Sequence, residues 1–226
     1  QINLFGHNEI LSKFIKLYDS KKLPSKILLS GNEGIGKCTL AYHLINYIFS
    51  QNDIEAYNTN KNIINSNSNN FKLIQNNIHP NFYKINLNDT KNSIDIAQIR
   101  EMIKFIQKTS FNDQEKIILI DQIEYLNQNS ANSILKILED SNEKVLFILI
   151  HAQEKKIIET IKSRCINFKI FLDQNFISHI VNNYFKKNIF DLINNNFKSL
   201  YFSPKTYINF LEICNEIKFD YENANI

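Results

Sequence analysis

Three of the chain's four glycines, Gly31, Gly34 and Gly36, fall within one short loop, and Lys37 follows them directly. The apolar run KILLS precedes the loop and predicts a buried strand, and KCTLAYHLINYIF follows it with apolar residues at helical spacing. Glycine lets the backbone turn tightly and expose consecutive N–H groups, and a helix behind such a loop directs its positive end toward an anion. The sequence therefore predicts a nucleotide-binding loop of the GxxxxGK type, with Lys37 reaching the phosphates. A glycine turn that only joins a strand to a helix is the alternative.

The residues after Lys37 depart from those of working P-loop enzymes. Cys38 stands where such loops carry Ser or Thr to ligate Mg²⁺, and a thiol is a poor ligand for a cation that prefers oxygen. Thr39 comes one residue too late in the helix to replace it directly. We expect ATP or ADP if any nucleotide binds, and Mg²⁺ only together with the nucleotide.

An acid that could serve the same site ends a later apolar run. Asp121 closes EKIILID and fits the acid that holds the hydration shell of Mg²⁺, although an Asp at a strand end can also cap a turn. Gln122 follows where ATPases of this broad class carry a Glu that polarises water, and Gln can orient water but cannot take its proton. Glu124 lies further along and would have to replace that Glu from the wrong place. These residues predict a loop that keeps its geometry and has lost hydrolytic chemistry. The candidate nucleotide contacts are Gly31, Gly34, Gly36, Lys37, Cys38, Thr39 and Asp121.

The pattern along the rest of the chain indicates an α/β fold. Apolar runs predict five buried strands, at 26–30, 81–87, 115–121, 144–150 and 165–171. Helical spacing predicts helices between and around them, at 7–22, 37–49, 93–109, 130–140 and 156–164. Continuous apolar strands separated by helices are typical of a parallel sheet covered on both faces.

Two segments do not follow this alternation. Residues 50–80 are rich in Asn and Ser with little periodicity, and we expect an irregular, partly mobile insertion there. After Leu172 the pattern is helical only, at 173–187, 188–199 and 204–218, which predicts a boundary near 171–174 and a small helical domain beyond it.

Composition excludes several classes of protein. The net charge of +3 is too small to argue by itself for nucleic-acid binding. No apolar run approaches the roughly 20 residues that cross a bilayer, so we expect a cytoplasmic protein without a membrane partner. The three cysteines are widely spaced, which favours reduced thiols over a disulfide framework or a C-x-x-C metal site.

The motifs ANSILKILED, VLFILIH and IKSRC, in this order, resemble the bacterial DNA polymerase III clamp-loader family, most closely its δ′ branch. FGHNEIL, HPNFYKI and IDIAQIREM add to the resemblance, which runs from about residue 5 to 171. Ser141-Asn142 departs from the family's Pro-Pro, and the chain begins with Gln1 rather than Met, as expected of a fragment or a processed chain.

The resemblance implies an AAA+ module, with a RecA-like domain over 1–171 and a helical lid over 172–226. Clamp-loader subunits continue into a collar domain that this chain, ending at Ile226, is expected to lack. The implied partners are other clamp-loader subunits in a pentamer and, through it, the sliding clamp and primed DNA. Many relatives carry a four-cysteine zinc module after the first helix of the loop, and 50–80 contains no cysteine, so we expect no zinc.

The resemblance also assigns roles to particular residues. Arg164 falls on the Ser-Arg-Cys motif, whose arginine reaches ATP on the neighbouring subunit, and an ion pair at the start of the fifth strand is the alternative. The family's first-sensor position, usually a polar residue after the fourth strand, falls near His151 or Ala152, which puts that sensor in doubt. The lid arginine of ATP-hydrolysing relatives falls near Lys205, which contacts either phosphate or solvent.

Three functional hypotheses follow. The first is a clamp-loader subunit that lacks efficient hydrolysis of its own and offers Arg164 to a neighbour. The second is an active AAA+ ATPase, such as a motor subunit of the same complex, using Lys37 and Asp121. The third, a small-molecule kinase, would need an arginine-rich mobile lid, and Arg100 and Arg164 are the only arginines in the chain.

Overall fold

The computed structural model describes residues 2–51, 53–87, 92–140, 144–188, 190 and 201–217. Its helices are α1 (Asn8–Asp19), α2 (Lys37–Ser50), α3 (Asn69–Gln75), α4 (Ile96–Gln107), α5 (Gln128–Asp140), α6 (Glu159–Lys162), α7 (Gln174–Phe185) and α8 (Pro204–Glu216). Its strands are β1 (Lys26–Gly31), β2 (Phe82–Ile85), β3 (Lys116–Ile120), β4 (Val145–Ala152) and β5 (Ile166–Lys169). Short 3₁₀ helices follow α4, at Phe111–Asp113, and β3, at Ile123–Tyr125.

The five strands form one sheet in the order β2-β3-β4-β1-β5, and every pairing is parallel. The predicted five-stranded parallel sheet is therefore confirmed. Because parallel strands end at the same edge, the residues that follow β1, β3 and β4 meet there, which is where ligands bind to sheets of this kind.

Helices cover both faces of the sheet, as the unbroken apolar strands predicted. In β4, Leu146, Ile148 and Ile150 join the core cluster that includes α1, α2 and the C-terminal helices, whereas Phe147 and Leu149 join the cluster with α4 and α5. Strands β1, β3 and β4 thus bury both rows of their side chains, which an alternating polar pattern would not allow. The expectation of a buried fifth strand is wrong, because β5 lies at the edge of the sheet and leaves Ile166 exposed.

The segment 50–80 contains structure that the sequence did not indicate. Helix α3 lies within it, and Ser68 caps the helix by accepting a hydrogen bond from the Phe71 N–H at 3.3 Å. Ile74 is fully buried. The expectation of an irregular segment is wrong at 69–75, because a helix of two turns shows too few apolar positions to reveal a period.

The C-terminal helices α7 and α8 pack against each other, in agreement with the helices predicted over 173–187 and 204–218. Ser203 caps α8 by accepting from the Thr206 N–H, and Pro204 occupies its first turn. The helix predicted at 188–199 lies outside the described residues, apart from 188 and 190. No helix of the described chain is long and apolar enough to span a bilayer.

Asn81 anchors the start of β2 and provides a test of the fold. Its fully buried amide donates to the Phe111 carbonyl and accepts from the Phe111 N–H, both at 2.8 Å. Asn81→Ala removes both bonds, so we expect the free energy of unfolding in urea to fall by about 2 kcal/mol. The matched control Asn86→Ala, at an exposed position, is expected to change it by less than about 0.5 kcal/mol. Equal losses in the two variants would contradict the anchoring role.

Candidate nucleotide site

A cavity of 610 Å³ opens at the carboxyl edge of the sheet, between the glycine loop and the C-terminal helices α7 and α8. The predicted residues that line it are Gly34, Gly36, Lys37, Cys38, Thr39, Asp121 and Lys205. The structure therefore brings together seven of the eight predicted nucleotide contacts, which are the seven candidates of the sequence pattern and Lys205 from the resemblance.

Gly31, the eighth, is the last residue of β1 and does not line the cavity. A Cβ atom added there would lie 2.4 Å from the carbonyl oxygen of Ile170 and 2.8 Å from the side chain of Ile35. Glycine is thus required at this position by close backbone packing beside β5. The prediction that Gly31 contacts nucleotide has no support from this geometry.

The other two loop glycines have backbone angles that L side chains rarely adopt. Gly34 has φ of +82° and Gly36 has φ of +92°. A Cβ atom on Gly34 would also lie 2.4 Å from the Cβ atom of Lys205 and 2.7 Å from the Ser203 hydroxyl. The missing side chain at Gly34 therefore lets the loop pack directly against the first turn of α8.

Lys37 is buried at the base of the loop, with 5% of its surface exposed. Its ammonium group donates to the carbonyl oxygens of Gly31 and Asn32, both at 2.6 Å. Burial lowers the pKa of this lysine, and the carboxylates of Glu154 and Glu124 oppose that shift. The ammonium is thus held by carbonyl groups of its own loop, in a residue that lines the cavity.

Cys38 and Asp121 both line the cavity. Burial raises the pKa of the Cys38 thiol to about 12, and the charge of Asp121 acts in the same direction. The thiol is therefore protonated at neutral pH. A protonated thiol is a poor match for Mg²⁺, which requires oxygen ligands in octahedral geometry.

Of the residues after Asp121, Glu124 lies in a different place from the one that the sequence predicted. Gln122 has a left-handed backbone, with φ of 57°, and lines the cavity. Glu124 also lines it, although the sequence placed this residue too far along the chain. One turn of 3₁₀ helix, Ile123–Tyr125, brings it back to the site. Its Oε2 atom accepts from the Ala152 N–H at 3.3 Å, while Oε1 is buried without a hydrogen-bond partner among the described residues.

Lys205 reaches the site from the lid in an ion pair. Its ammonium group lies 2.8 Å from Glu33 Oε1, and that of Lys155 lies 3.3 Å from Glu33 Oε2. The hydrogen bond from Lys205 holds the pKa of the Glu33 carboxyl below its usual value, against a smaller effect of burial. Of the two expected environments, phosphate or solvent, Lys205 has solvent, since 58% of its side chain is exposed while it pairs with Glu33.

The other end of the cavity is apolar and was not recognised from the sequence. Its lining includes Leu4, Phe5, Ile180, Tyr184 and Ile208, from the segment before α1 and from the two C-terminal helices. An apolar wall beside a phosphate loop suits a flat base. No motif marks these positions, because they come from three separate segments that meet only in the fold.

Arg164 is not part of this cavity. Its Nε atom donates to Glu139 Oε1 at 2.7 Å and its Nη1 atom to the carbonyl of Thr160 at 2.8 Å. The ion pair that the sequence left open as the alternative is therefore present. At the first-sensor position, Ala152 lines the cavity, whereas His151 donates from Nε2 to the carbonyl of Lys155 at 2.9 Å.

A parallel five-stranded sheet with a glycine loop and a buried lysine after β1, an acid after β3 and helices over the loop defines an AAA+ P-loop module. The fold agrees with that of a RuvB variant from Thermotoga maritima. The TM-score is 0.50 at 14% identity, covering 96% of this chain and 64% of that one.

The chain belongs to the family described as DNA polymerase III, delta subunit, whose model matches residues 6–173. It is 29% identical over 182 residues to DNA polymerase III subunit delta' of Buchnera aphidicola subsp. Schizaphis graminum, covering 80% of this chain and 53% of the relative. It is also 29% identical over 183 residues to the gamma subunit of the same organism, covering 79% and 48%. The chain thus spans about half the length of these curated relatives.

The loop's contact with α8 is testable with a pair of glycine variants. Gly34→Ala and Gly36→Ala both place a side chain at positive φ, which costs about 1 kcal/mol. An added Cβ atom at Gly36 meets only the ring of His7, at 3.5 Å, so Gly34→Ala alone should displace α8. We expect hydrogen exchange in Pro204–Glu216 to accelerate in Gly34→Ala and to stay as in the wild type in Gly36→Ala. Equal rates in the two variants would contradict this packing.

Proposed function

We propose that the chain is a δ′-like subunit of the DNA polymerase III clamp loader. It takes part in ATP-dependent loading of the sliding clamp onto primed DNA, as one subunit of a cytoplasmic pentamer. The family membership and the relatives named delta' support this role. In the proposed organisation, residues 1–171 form the RecA-like domain and 172–226 the lid.

The Cys38 thiol beside Asp121 in the lining of the cavity is the observation that carries the proposed lack of efficient hydrolysis. An active site would use these two positions to hold Mg²⁺ and its water shell, and a thiol is a poor ligand for a cation that prefers oxygen. Gln122, which cannot take a proton from water, supports the same conclusion. The loop then serves to bind nucleotide and to shape the subunit, without turning nucleotide over.

The catalytic contribution of the chain is assigned to Arg164, as an arginine finger that acts on a neighbour's nucleotide. Its contact with Glu139 is partly exposed, with 32% and 49% of the two side chains accessible. Ion pairs of this exposure contribute about 0–1 kcal/mol, so exchanging Glu139 for a phosphate across an interface costs little. A finger must be able to leave its resting partner in this way.

An active motor subunit is the second candidate. Two observations favour it: the equal identity to a gamma subunit, and the carboxylate of Glu124 in the cavity with one oxygen unpartnered among the described residues. The discriminating measurement is Mg²⁺-dependent ATP hydrolysis by the isolated chain. A robust rate that Lys37→Ala abolishes would favour the motor, whereas a rate as low as that of Lys37→Ala supports the non-hydrolysing subunit.

The role of Arg164 is tested in a reconstituted complex. We expect Arg164→Ala to slow single-turnover hydrolysis at the neighbouring site by about 10³-fold, the usual contribution of an arginine finger. Arg100→Ala is the matched control, because it removes the only other arginine, at an exposed position of α4. If complexes with Arg164→Ala and with Arg100→Ala hydrolyse ATP at the same rate, Arg164 is not a finger and serves only in its structural ion pair with Glu139.

A further inference from the structure

A buried histidine from outside the glycine loop is bonded to the backbone of the loop. His7 lies directly before α1, and 3% of its surface is exposed. Its Nε2 atom lies 2.7 Å from the carbonyl oxygen of Ile35, the residue between Gly34 and Gly36. Because a carbonyl oxygen only accepts hydrogen bonds, Nε2 carries the ring proton and donates. His7 and Ile35 both line the nucleotide cavity.

The surroundings of the ring keep it neutral. Burial lowers the pKa of His7, the hydrogen bond to Ile35 opposes this shift, and the charge of Lys37 adds to it. A neutral imidazole has a single N–H group, and the bond to Ile35 uses it.

This bond sets the direction of a loop amide. The peptide unit that joins Ile35 to Gly36 is planar and trans, so its N–H group points opposite to its carbonyl group and away from the His7 ring. The ring lies close to Gly36, since an added Cβ atom there would be 3.5 Å from Nε2. A loop that binds phosphate must aim its N–H groups at the anion, and a rotated peptide unit would turn a carbonyl oxygen toward it.

The backbone of His7 is itself fixed on both sides. Its carbonyl oxygen accepts from the Leu11 N–H at 3.0 Å, in the first turn of α1. Gly6, just before it, has φ of +76°, and a Cβ atom there would overlap the side chain of Leu172 and lie 3.0 Å from the ring of Phe176. Gly6 thus packs directly against the start of the C-terminal helices. The imidazole therefore reaches the loop from a backbone that has little freedom to move.

We propose that His7 is a positioning residue of the nucleotide site, which holds the glycine loop in its phosphate-binding conformation through the Ile35 carbonyl. Cys38 is a poor ligand for Mg²⁺, so phosphate binding depends on the backbone N–H groups of the loop and on Lys37. The conformation of the loop then decides the affinity. This proposal rests on the loop being a nucleotide site, as in the proposed function, and does not depend on the clamp-loader assignment.

Hydrogen exchange of the nucleotide-free chain tests the positioning directly. His7→Gln keeps an N–H group at about the distance of Nε2 along the side chain, whereas His7→Asn ends one carbon earlier. We expect exchange of the amides in 32–38 to accelerate about tenfold in His7→Asn and to stay within about threefold of the wild type in His7→Gln. The control His79→Asn removes another buried histidine, outside the cavity lining. Equal loop exchange in His7→Asn and His79→Asn would overturn the proposal.

Calorimetric titration of the same variants with ATP, in excess MgCl₂, measures the consequence for binding. We expect His7→Asn to weaken binding about tenfold, and His7→Gln and His79→Asn to stay within about threefold of the wild type. Rescue by Gln is the result that a merely space-filling role of the ring would not produce. Equal losses in His7→Gln and His7→Asn would therefore contradict the proposal.

Thermal unfolding of each variant separates loss of binding from loss of fold, and ¹⁵N NMR of the wild-type chain needs no variant. The His7 ring proton is expected on Nε2 and should shift on addition of ATP, because the loop that it holds contacts the phosphates. A proton on Nδ1, or no shift at saturating ATP, would overturn the proposal.

The two proposals fail in different ways. Absence of ATP binding to the wild type would overturn the nucleotide site and the role of His7 together, and would leave the role of Arg164 in the complex to its own test. If the wild type and His7→Asn bind ATP equally well, only the role of His7 is wrong.

Discussion

The buried ammonium group of Lys37 is the interaction around which the rest of the site is arranged. A cation removed from water needs oxygen partners, and the loop supplies two of its own carbonyls at 2.6 Å. To do so the chain must turn sharply between β1 and α2, which the positive φ angles of Gly34 and Gly36 allow. The same turn leaves Gly34 without a side chain against α8, so the lid closes directly over the loop.

The sequence predicted the elements of the fold better than their arrangement. Unbroken apolar runs indicated all five strands, because that pattern depends on each segment alone, but they did not show that β5 lies exposed at the edge of the sheet. The strand order depends on pairing between distant segments, and no pattern within a single segment predicts it. Helix α3 was missed because its stability comes from the cap of Ser68 and the burial of Ile74, and neither produces a period.

In the site, too, the residues within one sequence motif were predictable, whereas those from distant segments were not. Lys37 and Cys38 were found from a motif within one loop, whereas the apolar wall comes from segments that meet only when the chain folds. Gly31 fits the motif and yet is required by packing beside Ile170. Glu124 was predicted to lie too far from the site, because counting residues along the chain does not allow for the 3₁₀ turn that returns it to the cavity.

The central claim is that this chain keeps the shape of a nucleotide site while its catalytic contribution lies at Arg164. A cryo-electron microscopy map of the assembled complex with a non-hydrolysable ATP analogue tests it most directly. The account predicts that the Arg164 guanidinium leaves Glu139 and lies about 3 Å from a terminal phosphate oxygen bound to the adjacent subunit. An Arg164 side chain that stays on Glu139, with no nucleotide facing it, would contradict the account.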